Sequence, residues 1–282
     1  MTISAVNATK SSGHAGAHQR SVLNALYARY ERGLIGGGTI LGLLLAWELV
    51  ARAGLVNPIF LSSPTAVLLA GQTLLREGEI WADLRVSGTE FLLGYGLAAL
   101  VGIPLGLATG WWRRLSFLLG PFIDMLNAVP RLTLLPLLII WFGIGIWSKV
   151  VVVFLGAVIP ILISTHSGVQ TNEARFLKVA RSFGASELKI LSSIILPGTV
   201  PFIFTGLKYG VGRALLGVVV GELYAATAGV GFMIGAAGNT FQTDVVFFGI
   251  LMFMIAGLST VAVLDLLERR FEQWRPKVGA AQ

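Results

Sequence analysis

The chain has 282 residues, 55% of them hydrophobic and 12% charged, where ordinary soluble domains run at roughly 45–50% and about 25%. That balance excludes a disordered chain, a nucleic-acid-binding arm and a typical soluble enzyme. With 21 Lys+Arg against 14 Asp+Glu and with 35 Gly, it fits a bundle of membrane helices flanked by basic anchors. The absence of cysteine removes disulfides, thiolate metal sites and Cys nucleophiles. His14 and His18 fall in a polar tail, so no metal site is expected.

Residues 1–33 form a polar tail, expected to be cytoplasmic and disordered, that carries Lys10, Arg20, Arg29 and Arg32. It lacks the apolar stretch of a cleavable signal. Six apolar segments follow within a transmembrane region of residues 34–268: Leu34–Val50, Phe91–Trp112, Phe117–Ile144, Val150–Ser167, Val200–Leu223 and Val245–Leu267. Each approaches the ~20 residues that cross a hydrocarbon core. The third contains Pro121, Pro130 and Pro136, so a kink or break is predicted there. Between the first two spans, Pro64–Leu75 reads as a short helix at the membrane surface. Residues 269–282 form a basic C-terminal tail. If the N-terminus lies inside, the inner segments hold fourteen Lys/Arg and the outer ones four. Both termini are therefore expected on the cytoplasmic side.

The segment 171–197 is expected to project from the membrane as a helix–turn–helix. Phe176, Val179, Ala180 and Phe183 recur at i, i+3, i+4, i+7 and so share one helical face, with Arg175, Lys178 and Ser182 opposite. Gly184 stands where a C-terminal cap belongs. Ser186 is placed to cap a second short helix running through Leu188, Ile190 and Leu191, which Pro197 is expected to close.

Charged residues within or near the spans each need protein or water to face. They are Asp124, Arg131, Lys208, Arg213 and Glu222. Asp124, Pro130, Arg131, Arg213 and Glu222 are read as possible pathway residues. Arg suits an oxyanion because its planar fork matches one, and Pro130 frees backbone groups that can line a cavity. Structural pairing of Asp124 with Arg131 is the alternative. Lys208 is expected to snorkel toward the inner interface, and Glu222 to lie near the outer mouth. Gly102 and Gly106, like Gly206 and Gly210, are small residues four apart that allow close helix approach, between two copies or within one bundle.

The run Val179-Ala180-Arg181-Ser182-Phe183-Gly184-Ala185-Ser186, with nine residues between Gly184 and a following Ile194-Ile195-Leu196-Pro197, resembles the EAA loop of ABC-importer permeases. That pattern is Glu-Ala-Ala, three residues, Gly, nine residues, Ile-x-Leu-Pro. Lys178 and Val179 stand where the pattern has Glu and its first Ala. Trp141-Phe142-Gly143-Ile144-Gly145, Thr205-Gly206-Leu207, Gly212-Arg213-Ala214, Glu222-Leu223 and Gly229-Val230-Gly231-Phe232 look like the nitrate/taurine/sulfonate branch, and the resemblance spans Pro64 to Trp274.

The resemblance implies an all-α, six-span permease of the type I importer kind in a bacterial inner membrane. It implies a second permease copy, most simply a homodimer, two cytoplasmic ATP-binding subunits and an extracytoplasmic substrate-binding protein, with lipid around the chain and no nucleic acid. Phe176, Lys178, Val179, Ala180, Phe183, Gly184, Ala185, Ser186, Leu196 and Pro197 would form the ATPase-coupling loop. ATP and Mg would be bound by the partner ATPase. The chain has no Gly-x-x-x-x-Gly-Lys-[Ser/Thr] phosphate loop of its own, and no cofactor or catalytic residue is assigned to it. The implied cargo is a small oxyanion, with an aromatic carboxylate or a neutral precursor as alternatives.

Two other classes remain open. Thr165-His166-Ser167-Gly168 is one residue from a serine-protease nucleophile motif, but His166 and Ser167 are adjacent and do not face each other on a helix. A gradient-driven transporter would want inverted repeats.

Overall fold

The computed structural model describes residues 35–57, 59–78, 80–171 and 179–271, and every regular element among them is helical. The two tail assignments lie outside these residues, apart from the first residues of the C-terminal one. Two compact units are distinguished, 1–66 and 67–282. In the first, α1 (Ile35–Arg52) is an exposed apolar helix. Trp47 Nε1 donates to Ser62 O at 2.8 Å. Glu48 accepts from Thr65 N at 3.0 Å and Thr65 Oγ1 at 2.8 Å, which serves the start of α2 (Pro64–Glu77). Ser63 Oγ takes Ala66 N at 3.2 Å as the N-cap, with Pro64 as the first helical residue.

The second unit contains α3 (Ile80–Trp111), α4 (Arg113–Ala128), a 3₁₀ turn (Arg131–Leu134) and α5 (Leu135–Phe142). It continues with α6 (Ile146–Gln170), α7 (Glu187–Ala225), α8 (Val230–Asn239) and α9 (Thr243–Arg269). Among the described residues five helices are long and apolar enough to cross a membrane. Counting α4 with the 131–142 segment as one bent span makes six, in line with the sequence.

Several boundaries differ. The second span begins at Ile80, not Phe91, and runs for 32 residues. Its first turns pack Ile80 with Val67 of α2 and Phe248 of α9, so they are amphipathic and escape an apolar-run criterion. In the third span the break is an 87° bend between Ala128 and Arg131, at Pro130 alone. Pro121 sits inside α4 and Pro136 in the first turn of α5, where the missing N–H has no helical partner to lose. Pro197 does not close a helix. The chain widens to a π-turn over Leu191–Ile195, which absorbs the proline, and continues unbroken to Ala225.

The two largest interfaces are those of α6 with α3 and with α7, and α6 is buried on most of its circumference. Small residues on both neighbours make this possible. Gly94, Ala98, Gly102, Gly106 and Gly110 of α3 are spaced by four. A Cβ on Gly94 would meet Val153 Cβ at 2.6 Å, on Gly106 Thr165 Cβ at 2.6 Å, and on Gly110 Val169 Cβ at 2.5 Å. On α7, Gly206 faces Ser164, Gly217 faces Val153 and Gly221 faces Lys149. Gly102, Gly106, Gly206 and Gly210 thus serve packing within one chain. Around them Phe91, Val153, Ala157, Ile161, Phe204, Val211, Ala214 and Val218 form the main core. Several hydroxyls in the spans return to their own helices, as Thr165 Oγ1 does to Ile161 O at 2.8 Å and Thr199 Oγ1 to Ile195 O at 2.7 Å, and so need no outside partner.

Gly106→Ala places its methyl 2.7 Å from Leu162 O as well, and is expected to cost about 1–3 kcal/mol by overpacking. Gly96→Ala, with nothing within 4 Å of the new atom, should be neutral or slightly stabilising. Thermal unfolding of the two variants in detergent distinguishes them.

Candidate functional site

Three features carry chemistry: a projecting turn, a cationic cavity and a buried polar knot. The turn follows α6. A helical stretch ends at Ser182, and Gly184 adopts φ +75°. Gly184 N donates to Arg181 O at 3.0 Å and Ala185 N to Ala180 O at 3.1 Å, the paired bonds of a Schellman cap. Ala180 and Ala185 pack beside Val169, Ile190 and Ile195, which anchors the turn from below. Arg181 Nε meets Glu187 Oε1 across it at 3.1 Å. Ser186 caps α7 by accepting Lys189 N at 3.4 Å.

Phe183 is 87% exposed and Leu188 79%, with Val179 exposed too. The face read from the sequence is therefore divided: Val179 and Phe183 point outward and Ala180 is half-buried. Phe176 and Lys178 lie outside the described residues. Leu196 is exposed and Pro197 half-buried in the first turns of α7.

The cavity, of about 570 Å³, lies between the α4–α5 bend, α6 and α7. Val152, Gly156, Pro160, Ile163 and Ser164 present one face of α6, and Tyr209, Arg213, Leu216 and Gly217 one face of α7. These positions fall near the middle of both spans. Pro130 has no N–H to give Leu126 O, and Arg131 Nε donates to that carbonyl instead at 3.4 Å. Arg131 Nη2 reaches Asn127 Oδ1 at 3.0 Å and its Nη1 reaches Gly156 O at 3.4 Å.

Gly156 also lets α7 approach, since a Cβ there would lie 2.9 Å from Arg213 O. The guanidinium groups of Arg131 and Arg213 are close enough to repel each other. Among the described residues no Asp or Glu lines the cavity. An anion entering it would relieve that repulsion, and guanidinium offers planar paired donors to an oxyanion.

The other pathway residues are placed elsewhere. Asp124 is exposed on α4 and forms no ion pair with Arg131 among the described residues, because the bend at Pro130 removes the shared face. Glu222 is fully buried and serves α8. Its Oε1 accepts Ser87 Oγ at 2.6 Å and its Oε2 accepts Gly231 N at 2.6 Å. Ser87 Oγ takes Val230 N at 2.9 Å, and Asp83 Oδ1 takes Gly229 N at 2.7 Å. Three N–H groups at the start of α8 are thus capped by side chains of α3 and α7. Gly229, at φ +120°, leaves space for the carboxylate, which a Cβ would approach to 2.3 Å. Lys208 pairs with Asp265 and with Glu268 of α9, so it is held by carboxylates. His166 Nδ1 lies 3.1 Å from Thr109 Oγ1, so its ring is committed to α3, and that hydroxyl also donates to Leu105 O at 2.8 Å within its own helix.

Beside Glu222 lies a pair that the sequence reading missed. Lys149, 5% exposed, meets fully buried Glu90 at 2.5 Å. Both stood at the edges of predicted spans, where charges are ordinary, and 59 positions apart no local pattern joins them. Glu90 and Lys149 both act electrostatically on Glu222. Two buried carboxyl groups therefore lie beside one buried ammonium, and Glu222 also faces the positive end of α8, about half a charge.

This imbalance predicts an asymmetry. Lys149→Met leaves fully buried Glu90 without its cation and should cost about 3–5 kcal/mol, whereas Glu90→Gln leaves Lys149 within the electrostatic reach of Glu222 and should cost much less. Unfolding temperatures of the two variants in detergent check it; equal losses would contradict the charge count.

Comparison with known proteins agrees with this architecture. Residues 102–273 match the family of binding-protein-dependent transport system inner membrane components. The taurine transport system permease protein TauC of Escherichia coli (strain K12) is 38% identical over 246 residues, covering 86% of this chain and 90% of that protein. The putative aliphatic sulfonates transport permease protein SsuC of Bacillus subtilis (strain 168) is 35% identical over 258 residues, covering 89% and 94%. A crystal structure of an amino acid ABC transporter with histidines shares the fold, with a TM-score of 0.51 at 16% identity over 72% of this chain and 96% of that one. With its bent span, its α6-centred packing and these relatives, the chain belongs to the binding-protein-dependent transport system inner membrane components, the permeases of ABC importers.

Proposed function

We propose that this chain forms the translocation pathway of an ATP-driven importer for small sulfonate-like oxyanions and takes its energy from a separate ATPase through the turn at residues 179–197. Two copies of the chain, two cytoplasmic ATP-binding subunits and an extracytoplasmic binding protein make up the working assembly, in an inner membrane with both termini inside. ATP and Mg belong to the ATPase subunits. The observation that carries the reading is the pair Arg131 and Arg213 on one cavity that no Asp or Glu among the described residues lines, formed by the two helices that flank the turn. Its volume of about 570 Å³ falls within the roughly 300–1,000 Å³ of small-molecule sites. The names of the taurine and sulfonate relatives agree with that chemistry. A neutral precursor would leave both guanidinium groups without a counter-ion, and an aromatic carboxylate would satisfy them without the support that the relatives' names give a sulfonate.

The mechanism follows from rigidity. Phe183 and Leu188 protrude from a turn that a Schellman cap and the Arg181–Glu187 pair hold in one geometry. An ATPase groove gripping these side chains displaces the ends of α6 and α7. Both helices line the cavity, so their relative shift changes its access while the anion is held between the arginines.

Arg213→Gln removes one cation and is expected to lower uptake of taurine or an alkanesulfonate at least about tenfold, the loss of one charge-assisted contact. Unchanged uptake at equal membrane levels would contradict the pathway reading. Gly184→Arg forces a side chain into the left-handed region at the cap and should uncouple ATP hydrolysis from uptake. Normal uptake at normal expression would refute the coupling.

A further inference from the structure

Resting on the oxyanion reading, we infer that Asn127 is a positioning residue of the central cavity: its side-chain amide holds the Arg131 guanidinium at the cavity wall without cancelling its charge. Asn127 and Arg131 both line the cavity, one on each side of the bend at Pro130. Asn127 Oδ1 accepts from Arg131 Nη2 at 3.0 Å, the shortest of the three hydrogen bonds that the guanidinium makes among the described residues. The other two acceptors are the carbonyl oxygens of Leu126 and Gly156, each at 3.4 Å. A guanidinium carries five N–H donors, so two are left for a ligand.

All three acceptors are neutral. Three cations elsewhere in the chain lean on carboxylates instead: Lys149 on Glu90, Arg181 on Glu187, and Lys208 on Asp265 and Glu268. A carboxylate at position 127 would make the same contact as Asn127, but the charge-assisted pair it formed would compete with any anion for the guanidinium. An amide oxygen orients the group through its dipole and leaves the full charge to the site. With Arg213 on α7, and no Asp or Glu among the described residues on the wall, the cavity keeps both positive charges. Holding the long side chain beforehand also spares the anion the cost of ordering it. The cavity therefore ranks ligands by net charge, and a sulfonate monoanion gains more from it than a zwitterion, whose ammonium meets the same two cations.

The test is a double-substitution cycle on initial uptake of taurine and of ethanesulfonate, at equal membrane levels, in cells producing the chain with its cognate ATPase and binding protein. Asn127→Ala and Arg131→Gln should each lower uptake about tenfold, the loss of a charge-assisted contact. The double variant should lie no lower than Arg131→Gln alone, because Asn127 acts through Arg131. Losses that multiply to about a hundredfold, or unchanged uptake in Asn127→Ala, overturn the inference. Asn127→Asp supplies a readout that a merely structural role would not move. It keeps the acceptor and lowers the charge of the cavity by one, so ethanesulfonate, a monoanion, should lose more than zwitterionic taurine. Relative to wild type, the taurine-to-ethanesulfonate uptake ratio should rise at least about threefold, and an unchanged ratio overturns the inference too. Where the wild-type assembly carries only one of the two compounds, the cycle on that compound decides. Carriage of neither by wild type, or unchanged uptake in Arg131→Gln, means that the oxyanion reading itself has failed, and the role of Asn127 falls with it. A loss in Arg131→Gln without one in Asn127→Ala leaves that reading intact and removes only this one.

Discussion

Close approach of α3 and α7 to α6 is the constraint on which the rest of the membrane domain depends. Lipid is as apolar as a leucine side chain, so burying apolar surface gives helices little reason to associate in a bilayer; dispersion contacts and polar links must do it. A small residue every fourth position on α3 brings its backbone within contact of Val153, Ile161, Thr165 and Val169. Gly206, Gly217 and Gly221 do the same from α7. Only at this separation can Lys149 reach Glu90, or Arg131 reach the carbonyl of Gly156 behind Arg213. The cavity and the polar knot are thus consequences of one packing arrangement, read at two depths along α6.

The same arrangement gives the proposed coupling a physical route. α6 ends at Gln170 and α7 starts at Glu187, so the projecting turn is the link between the two helices that line the cavity. Val169, Ile190 and Ile195 are buried together beneath it, which ties any displacement of the turn to both helix ends at once. The π-turn at Leu191–Ile195 keeps α7 continuous through Pro197, so the helix is a single lever from the turn to Ala225. A break at the proline, as local rules suggest, would have cut that lever at its base.

Much of this was legible in the sequence, and the failures have local causes. Gly184 was readable as a cap because an apolar face ends beside a residue free to adopt positive φ, and that geometry is set by neighbours in the chain. The span count was readable because apolar runs of this length have one common explanation. Pro197 was misread because the alternative to termination, a widened turn, depends on burial of Ile190 and Ile195 against Val169 rather than on the proline. The first turns of α3 were missed because they are buried against α2 and α9, which composition alone does not reveal. Glu222 was placed at an outer mouth with its task open. Its partners, Ser87 and the first turn of α8, lie 135 positions before it and nine after it, and only the Gly229-Val230-Gly231 run hinted at a carboxylate seated among backbone N–H groups.

The account stands on energy entering through the turn, and because the chain contains no cysteine one substitution can probe this. Phe183→Cys, treated with a membrane-impermeant thiol reagent in oriented vesicles, reports both the side on which the turn emerges and what covers it. The account predicts labelling in inside-out vesicles stripped of the ATPase, protection when the ATPase is restored, and no labelling in right-side-out vesicles. Labelling from the outer face, or labelling that the ATPase leaves unchanged, would contradict it.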